Sequence, residues 1–398
     1  MEAGLALESG DSEQALEIYT RLLQAPLELT LKHQVYLNRA ICLYQQGRYS
    51  DAMQQLQSLS SESRDDALLA EANLYRARLY RQMGQYFSAK RYYLQALDVY
   101  AQDPEVSLEL FETLISLNQD PEAVSMLETI TEATPLYHEY LVIWAEYLLT
   151  NYRYEEFERH LSQHPHLIGE PRIDILRLRK AFSTSDFSSA AAILDSYPSV
   201  NDQINYYKAL YARYQGDPIV ADSLFAILVK KAEPEVKVLS YLQRLIMLYE
   251  EEPFTAMLQL GQYISSGGSE VAKAEQYYTM GWFAYGRQDY QEALRRLSLA
   301  RAESQDKVQL ARIDILIAKA WLRANRAENA LSAFNRYLNL YPDGTDRDEA
   351  LFYLGFLYFE AKSYNLARGA FEQLISETPQ SLHVPAANFY LAEMDFFL

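Results

Sequence analysis

Apolar residues recur along this chain at intervals of three and four, which is the period of an amphipathic helix. One segment, LFYLGFLYFEAKSYNLARGAFEQLISETP from Leu351, shows this period twice, on either side of a short polar turn. Segments that begin at Leu74 and Tyr277 repeat the same pattern. The pattern predicts a series of helical hairpins without β-sheet.

A small residue recurs in the second helix of each hairpin, where a large side chain would push the two helices apart. Alignment on this residue gives eleven copies, nine of them Ala, spaced 31 to 37 residues apart. The regular period predicts eleven helix pairs, which we number as repeats one to eleven, and a single helix near the C-terminus. The aligned positions are Ala15, Ala52, Ala89, Ala123, Phe157, Ala190, Ala221, Met257, Ala293, Ala330 and Ala367.

The hairpin has further fixed positions, which in repeat eleven are Leu354, Gly355, Tyr358, Tyr364, Ala367, Phe371 and Pro379. With these residues it resembles the tetratricopeptide repeat, and the resemblance extends over essentially the whole chain. It implies an all-α, right-handed superhelical solenoid that binds other proteins or peptides. Because the pattern weakens in the middle, we expect three parts: residues 1–100, an acidic and degenerate part 101–264, and residues 270–398. Gly267 and Gly268, between the last two parts, indicate either an ordinary loop between repeats or a hinge.

The C-terminal third carries a second pattern, in which Pro379-Gln380-Ser381 leads into a helix with Ala387, Tyr390 and Leu391. This pattern is similar to the repeats of the bacterial Tol-Pal coordinating protein and the outer-membrane assembly lipoproteins. The resemblance implies a scaffold of the bacterial cell envelope, located in the periplasm, with the cytoplasm as the alternative. No Cys for lipid attachment lies near the N-terminus of the sequence.

The net charge of −18 argues against binding of nucleic acid, because the phosphates would be repelled. No apolar run reaches the roughly 20 residues that a membrane span requires. Neither a phosphate-binding loop nor a catalytic motif is present, so we expect no cofactor and no enzymatic activity. Cys42 is the only cysteine. His160, His164 and His166 form the only histidine cluster, which we interpret as surface residues rather than a metal site.

The inner face of such a solenoid comes from the first helix of each repeat. When the small residue of that helix is numbered 8, positions 2, 5, 9 and 12 form one stripe. In repeats nine and eleven this stripe is aromatic, which predicts a partner-binding groove with a cation in repeat ten. The alternative is that the rings are buried between repeats. The predicted binding residues are Tyr278, Trp282, Tyr285, Lys319, Phe352, Phe356 and Phe359.

A weaker candidate is an acidic groove in repeats four and five, formed by Glu105, Glu112, Glu139 and Glu146. Two of these residues stand in register with Arg172 and Arg179 of repeat six, so the alternative is a ladder of ion pairs, Glu139 with Arg172 and Glu146 with Arg179. Two functions therefore remain open. One is a scaffold that holds partner proteins on its inner face, and the other is a structural solenoid that self-associates through apolar terminal half-repeats.

Overall fold

The protein, in a computed structural model, is described at residues 6, 11–100, 103–197, 201–266, 269 and 271–397. Over these residues the secondary structure is helical and contains no strand, so the all-α prediction is confirmed. Gly267 and Gly268, the candidate hinge, lie outside the described residues. The helices are α1 Ser12–Leu22, α2 Leu29–Gln45, α3 Tyr49–Glu62, α4 Asp66–Gln82, α5 Tyr86–Tyr100, α6 Pro104–Ser116, α7 Asp120–Thr129, α8 Tyr137–Thr150, α9 Tyr154–Gln163, α10 Pro171–Ser183, α11 Phe187–Asp195, α12 Asp202–Tyr214, α13 Pro218–Lys231, α14 Pro234–Glu251, α15 Pro253–Ser265, α16 Lys273–Gly286, α17 Tyr290–Glu303, α18 Lys307–Arg323, α19 Ala327–Leu340, α20 Arg347–Glu360, α21 Tyr364–Glu377 and α22 Val384–Phe397.

The helices pair in chain order. Helix α1 is the second helix of repeat one, α2 and α3 form repeat two, and the series continues to α20 and α21 in repeat eleven, with α22 after the last pair. Contacts divide the chain into two compact units, residues 1–144 and 145–398, and the division falls within α8. The three-part division expected from the sequence stays a prediction.

The recurring small residue is the fourth residue of the second helix in every repeat. This corrects the sequence register in repeat eight. Helix α15 begins at Pro253, so its fourth residue is Ala256, which is fully buried, and Met257 is only half-buried. Ten of the eleven positions are therefore Ala. Phe157 is the one exception, and it too is fully buried.

The turn between the two helices of a repeat contains a residue in the left-handed conformation, five positions before the small residue. Of the ten repeats whose turn lies in the described residues, nine share this feature, and three of the nine place glycine there. In repeat eight the equivalent residue, Glu251, is still helical, and the shorter turn explains the misplaced register. The nine residues are Gly47, Gly84, Asn118, Tyr152, Ser185, Gly216, Gln288, Asn325 and Lys362.

Close approach of the paired helices depends on the small residues of the first helix as well. A Cβ atom added to Gly355 would lie 2.6 Å from Cε1 of Phe371, a fully buried ring of α21. A Cβ atom on Gly281 would lie 2.8 Å from Cγ of Leu297 in α17. Because interiors pack at crystal-like density, neither position has room for one more methyl group.

Candidate functional site

The aromatic stripe predicted for partner binding lies on α16 and α20, and all six of its rings are half-buried. A half-buried ring differs from an open anchor residue, and it also differs from the fully buried Phe283 and Phe371 of the same repeats. The neighbours of each ring decide how much of it a partner can reach.

The rings at position 12 pack inside their own repeat. Tyr285 lies 5.7 Å from Tyr290, and Phe359 lies 5.7 Å from Tyr364, measured between ring centroids. Both pairs connect the end of the first helix to the start of the second. The same pair recurs in two repeats outside the stripe, as Tyr44 with Tyr49 and Phe182 with Phe187. We infer that the main role of position 12 is to pack the two helices of one repeat together, rather than to bind a partner.

In repeat eleven the stripe is partly covered by α22. The ring of Tyr390 lies 5.9 Å from that of Phe356 and 5.0 Å from that of Phe359. Phe352 stacks on His383, with 4.7 Å between the ring centroids. These contacts agree with burial between repeats, and they leave Phe356 with Tyr390 as its one ring neighbour in the described part of the chain.

In repeat nine the rings contact both neighbouring repeats. Trp282 lies 5.4 Å from Tyr249 of repeat eight. The guanidinium of Arg312, from repeat ten, lies 4.6 Å from the ring centroid of Tyr278, which is a cation–π distance. The stripe is therefore a series of rings that join successive first helices and still expose part of their surface.

Lys319 does not stand alone between the two groups of rings. Its Nζ atom lies 2.9 Å from a carboxylate oxygen of Glu349 in repeat eleven. Burial acts to lower the pKa of Lys319, but the hydrogen bond and the charge of Glu349 outweigh it, so the pKa is raised. A partner would find this cation already neutralised.

The four acidic candidates have different surroundings. Glu112 forms an ion pair with Arg81 of repeat three at 2.5 Å, and beside it Glu109 pairs with Arg78. Glu112 therefore belongs to an ion pair between repeats three and four. Glu105 and Glu146 are exposed, and Glu139 is half-buried.

The ion pair of Glu146 with Arg179, expected in the alternative ladder, is wrong, because Arg179 instead forms an ion pair with Asp306. Sequence reasoning missed a regular signal here, a basic residue followed about one repeat later by Glu. Three more pairs of this kind connect successive repeats, Lys90 with Glu122, Arg213 with Glu250 and Lys319 with Glu349.

The histidine cluster differs from the expectation of surface residues. His160 is only 6% exposed, and its ring centroid lies 4.8 Å from that of His164. Burial lowers the pKa of His164, and His166 adds to the effect. Within the residues that the structure describes, no group of three His, Cys, Asp or Glu is arranged to hold a metal ion.

Among the described helices, none combines the length and the apolar character needed to cross a membrane.

Comparison with known families agrees with the helical pairs. The family profile of the tetratricopeptide repeat matches residues 6–79 and 80–141. Residues 6–141 of this chain carry tetratricopeptide repeats. A second profile, described as outer membrane lipoprotein, matches residues 270–394, so the C-terminal third resembles that family.

No curated protein matches the chain. Among the solved structures that match, two examples align over most of this chain, each at 13% identity. Yeast Tom70 aligns with 98% of this chain and 94% of its own, with a TM-score of 0.49. The hetero-tetramer Cut9-Hcn1 of the APC/C aligns with 97% of this chain and 88% of its own, with a TM-score of 0.34. These likenesses carry nothing about function.

Proposed function

We propose that this chain is a non-enzymatic scaffold that holds other proteins on the first-helix face of its repeats and organises proteins of the bacterial cell envelope. The observation that carries the envelope role is the match of residues 270–394 to the outer membrane lipoprotein family. The repeats themselves support the protein-binding role, since function in a repeat array resides on its extended inner surface.

The partner is a protein or a peptide rather than a nucleic acid. With a net charge of −18, the chain repels phosphate backbones at ordinary ionic strength. The half-exposed rings of the stripe provide the kind of contact that dominates protein interfaces, where Trp and Tyr are enriched. We place the contact at Tyr278, Trp282 and Phe356, whose exposed surfaces lie along the first helices of repeats nine and eleven.

The envelope role is tested by locating the native protein in its own cells. We expect it in the periplasmic or membrane-associated fraction, together with markers of those fractions. Co-fractionation with a cytoplasmic enzyme would contradict the envelope role while leaving the scaffold role intact.

The contact site is tested with a photo-crosslinking residue in place of Phe356. A matched control carries the same group in place of Phe87, which is 74% exposed and lies on the second helix of repeat three. We expect discrete adducts with envelope proteins from position 356 and none from position 87.

In the double variant Trp282→Ala with Phe356→Ala, the partner should be lost while the helical spectrum is retained. Loss of helix would instead show that the rings are core residues.

The second candidate, a self-assembling solenoid, is favoured by two apolar side chains near the last repeat. Leu382 is 94% exposed and Phe389 is 64% exposed. Sedimentation velocity separates the two functions, because self-assembly predicts a sedimentation coefficient that grows with concentration and that Phe389→Ser would restore to the monomer value. The scaffold alone predicts a constant value.

A further inference from the structure

Unit 145–398 contains a partly open cavity of about 730 Å³ that is lined by the first helices of five successive repeats. Among the described residues that line it, the second helices contribute only the end of α17 at Glu303, which is followed by the loop before α18. The cavity therefore lies on the inner face of repeats six to ten. One lining residue from each helix is Arg179 in α10, Tyr206 in α12, Gln243 in α14, Glu275 in α16 and Arg312 in α18.

The wall of this cavity carries charged groups of both signs, which pair with one another. Glu275 accepts a hydrogen bond from Gln309 at 3.0 Å and lies 3.5 Å from the guanidinium of Arg312. The charge of Glu275 is the main reason that the pKa of Arg312 is raised, against the lowering effect of burial. Burial raises the pKa of Tyr207, on the same wall, to about 12. The side chain of Arg312 is nevertheless 49% exposed, so it faces space inside the cavity rather than packed protein.

Repeats five and six contact repeat ten directly, although repeats in an array ordinarily contact only their neighbours. The phenol of Tyr152 donates a hydrogen bond to the carbonyl oxygen of Lys307 at 3.4 Å. The ammonium of Lys307 in turn donates to the side chain of Asn151. Arg179 forms its ion pair with Asp306 in the same region. These bonds join residues that are 127 to 156 positions apart in the chain.

Tyr152 supplies the apolar part of this contact. It is only 6% exposed and belongs to the same buried cluster as Ala311, Ile315 and Tyr337 of repeat ten. Its φ of 61° is left-handed, and a bulky side chain there costs about 1–2 kcal/mol. Three other repeats place glycine at this turn position, and the equivalent Gln288 and Lys362 are exposed. A strained, buried tyrosine at this one turn indicates that its ring is required where it lies.

We propose that Asn151, Tyr152 and Arg179 form a latch with Asp306 and Lys307 that restricts access to this cavity, and that a protein segment enters the cavity only after the latch opens. The side chains of Arg179 and Asp306 are partly exposed, at 28% and 34%, so solvent and salt weaken this ion pair in part. Docking of Tyr152 provides the remaining stability of the closed state. The latch is a property of the free protein and does not depend on the identity of the partner.

The first test measures the distance across the latch by electron paramagnetic resonance. Spin labels replace Glu155 and Gln305, which are exposed and flank the contact on its two sides. Cys42 does not interfere, because it is fully buried and burial raises the pKa of its thiol to about 11. We expect one narrow, short distance in the parent protein. Arg179→Asp and Asp306→Arg should each add a longer population, and the two together should restore the short one.

The second test measures access to the cavity. Leu239, on the cavity wall in α14, is replaced by Cys and treated with a bulky maleimide. If the open state holds about 0.1–10% of the molecules, breaking the latch with Tyr152→Gly should speed labelling by about 10- to 1,000-fold. Lys362→Gly, the same change at the equivalent turn of repeat eleven, should leave the rate unchanged. Unaltered distances and labelling rates in folded latch variants would overturn the proposal, and Asp306→Arg replaces Tyr152→Gly if the latter does not fold.

Discussion

At the scale of single residues, the close contact between the two helices of a repeat depends on glycine, which has no Cβ atom. Gly355 faces the ring of Phe371, whereas Gly369 in the next helix has no atom within 4 Å of an added Cβ. Both are helical glycines, and in an open helix replacement by alanine is favourable by about 1 kcal/mol. The same substitution should therefore have opposite effects at the two sites.

We expect Gly355→Ala to destabilise the protein by about 1–3 kcal/mol, because its methyl group would displace a fully buried ring. Gly369→Ala should leave stability unchanged or raise it. Urea unfolding of both variants, followed by circular dichroism, measures the difference. A rise in stability for both would mean that the helices of repeat eleven are not in close contact.

The sequence predicted these small positions well, because a residue type recurring at a nearly constant interval is visible without a structure. It predicted the aromatic stripe only as a set of positions. Whether Phe356 or Trp282 faces solvent depends on Tyr390 and Tyr249, which lie in neighbouring repeats. The periodicity of one helix carries no information about how closely the next repeat packs, so the degree of exposure had to come from the structure.

At the scale of elements, nine described repeats share one turn geometry between their two helices, although they do not share one residue type there. The left-handed position holds glycine in repeats two, three and seven, and a residue with a side chain in six others. A search for glycine therefore misses most of these turns. In repeat eight the turn is shorter because α14 extends through Glu251, and the predicted register fell on Met257 instead of Ala256.

Gln288→Gly should stabilise the turn of repeat nine. Gln288 is exposed and has a φ of 64°, so glycine relieves backbone strain without loss of packing. We expect a gain of about 0.5–1 kcal/mol after the greater flexibility of glycine in the unfolded chain is subtracted.

Gly84→Ala is the reciprocal control at the equivalent turn of repeat three, where no atom lies within 4 Å of an added Cβ. Any loss of stability in this variant reports backbone strain alone. Thermal unfolding of both variants checks the pair, and a loss of stability in Gln288→Gly would show that the turn tolerates its side chain without strain.

At the scale of the whole molecule, the residue pattern within each repeat does not predict which distant repeats contact each other. The repeat count and the order of the helices followed from the sequence, but the contact between repeats five and ten did not. Tyr152 and Lys307 are 155 positions apart, and nothing in either repeat marks the other as its neighbour. Such a contact depends on small rotations added over five repeats, each set by packing that the residue pattern does not specify.

Removing the side chain of Tyr152 should change amide hydrogen exchange in a helix that is distant in sequence. A linear array would transmit the change only to adjacent repeats. We expect Tyr152→Gly to speed amide hydrogen exchange in α18, residues Lys307–Arg323, because its N-terminal turn loses the ring that covers it. Exchange in α4, which lies in the other unit, should not change. Lys362→Gly removes an equivalent strained residue outside the latch and should leave α18 protected. Equal exchange of α18 in Tyr152→Gly and the parent would mean that repeats five and ten are independent in solution.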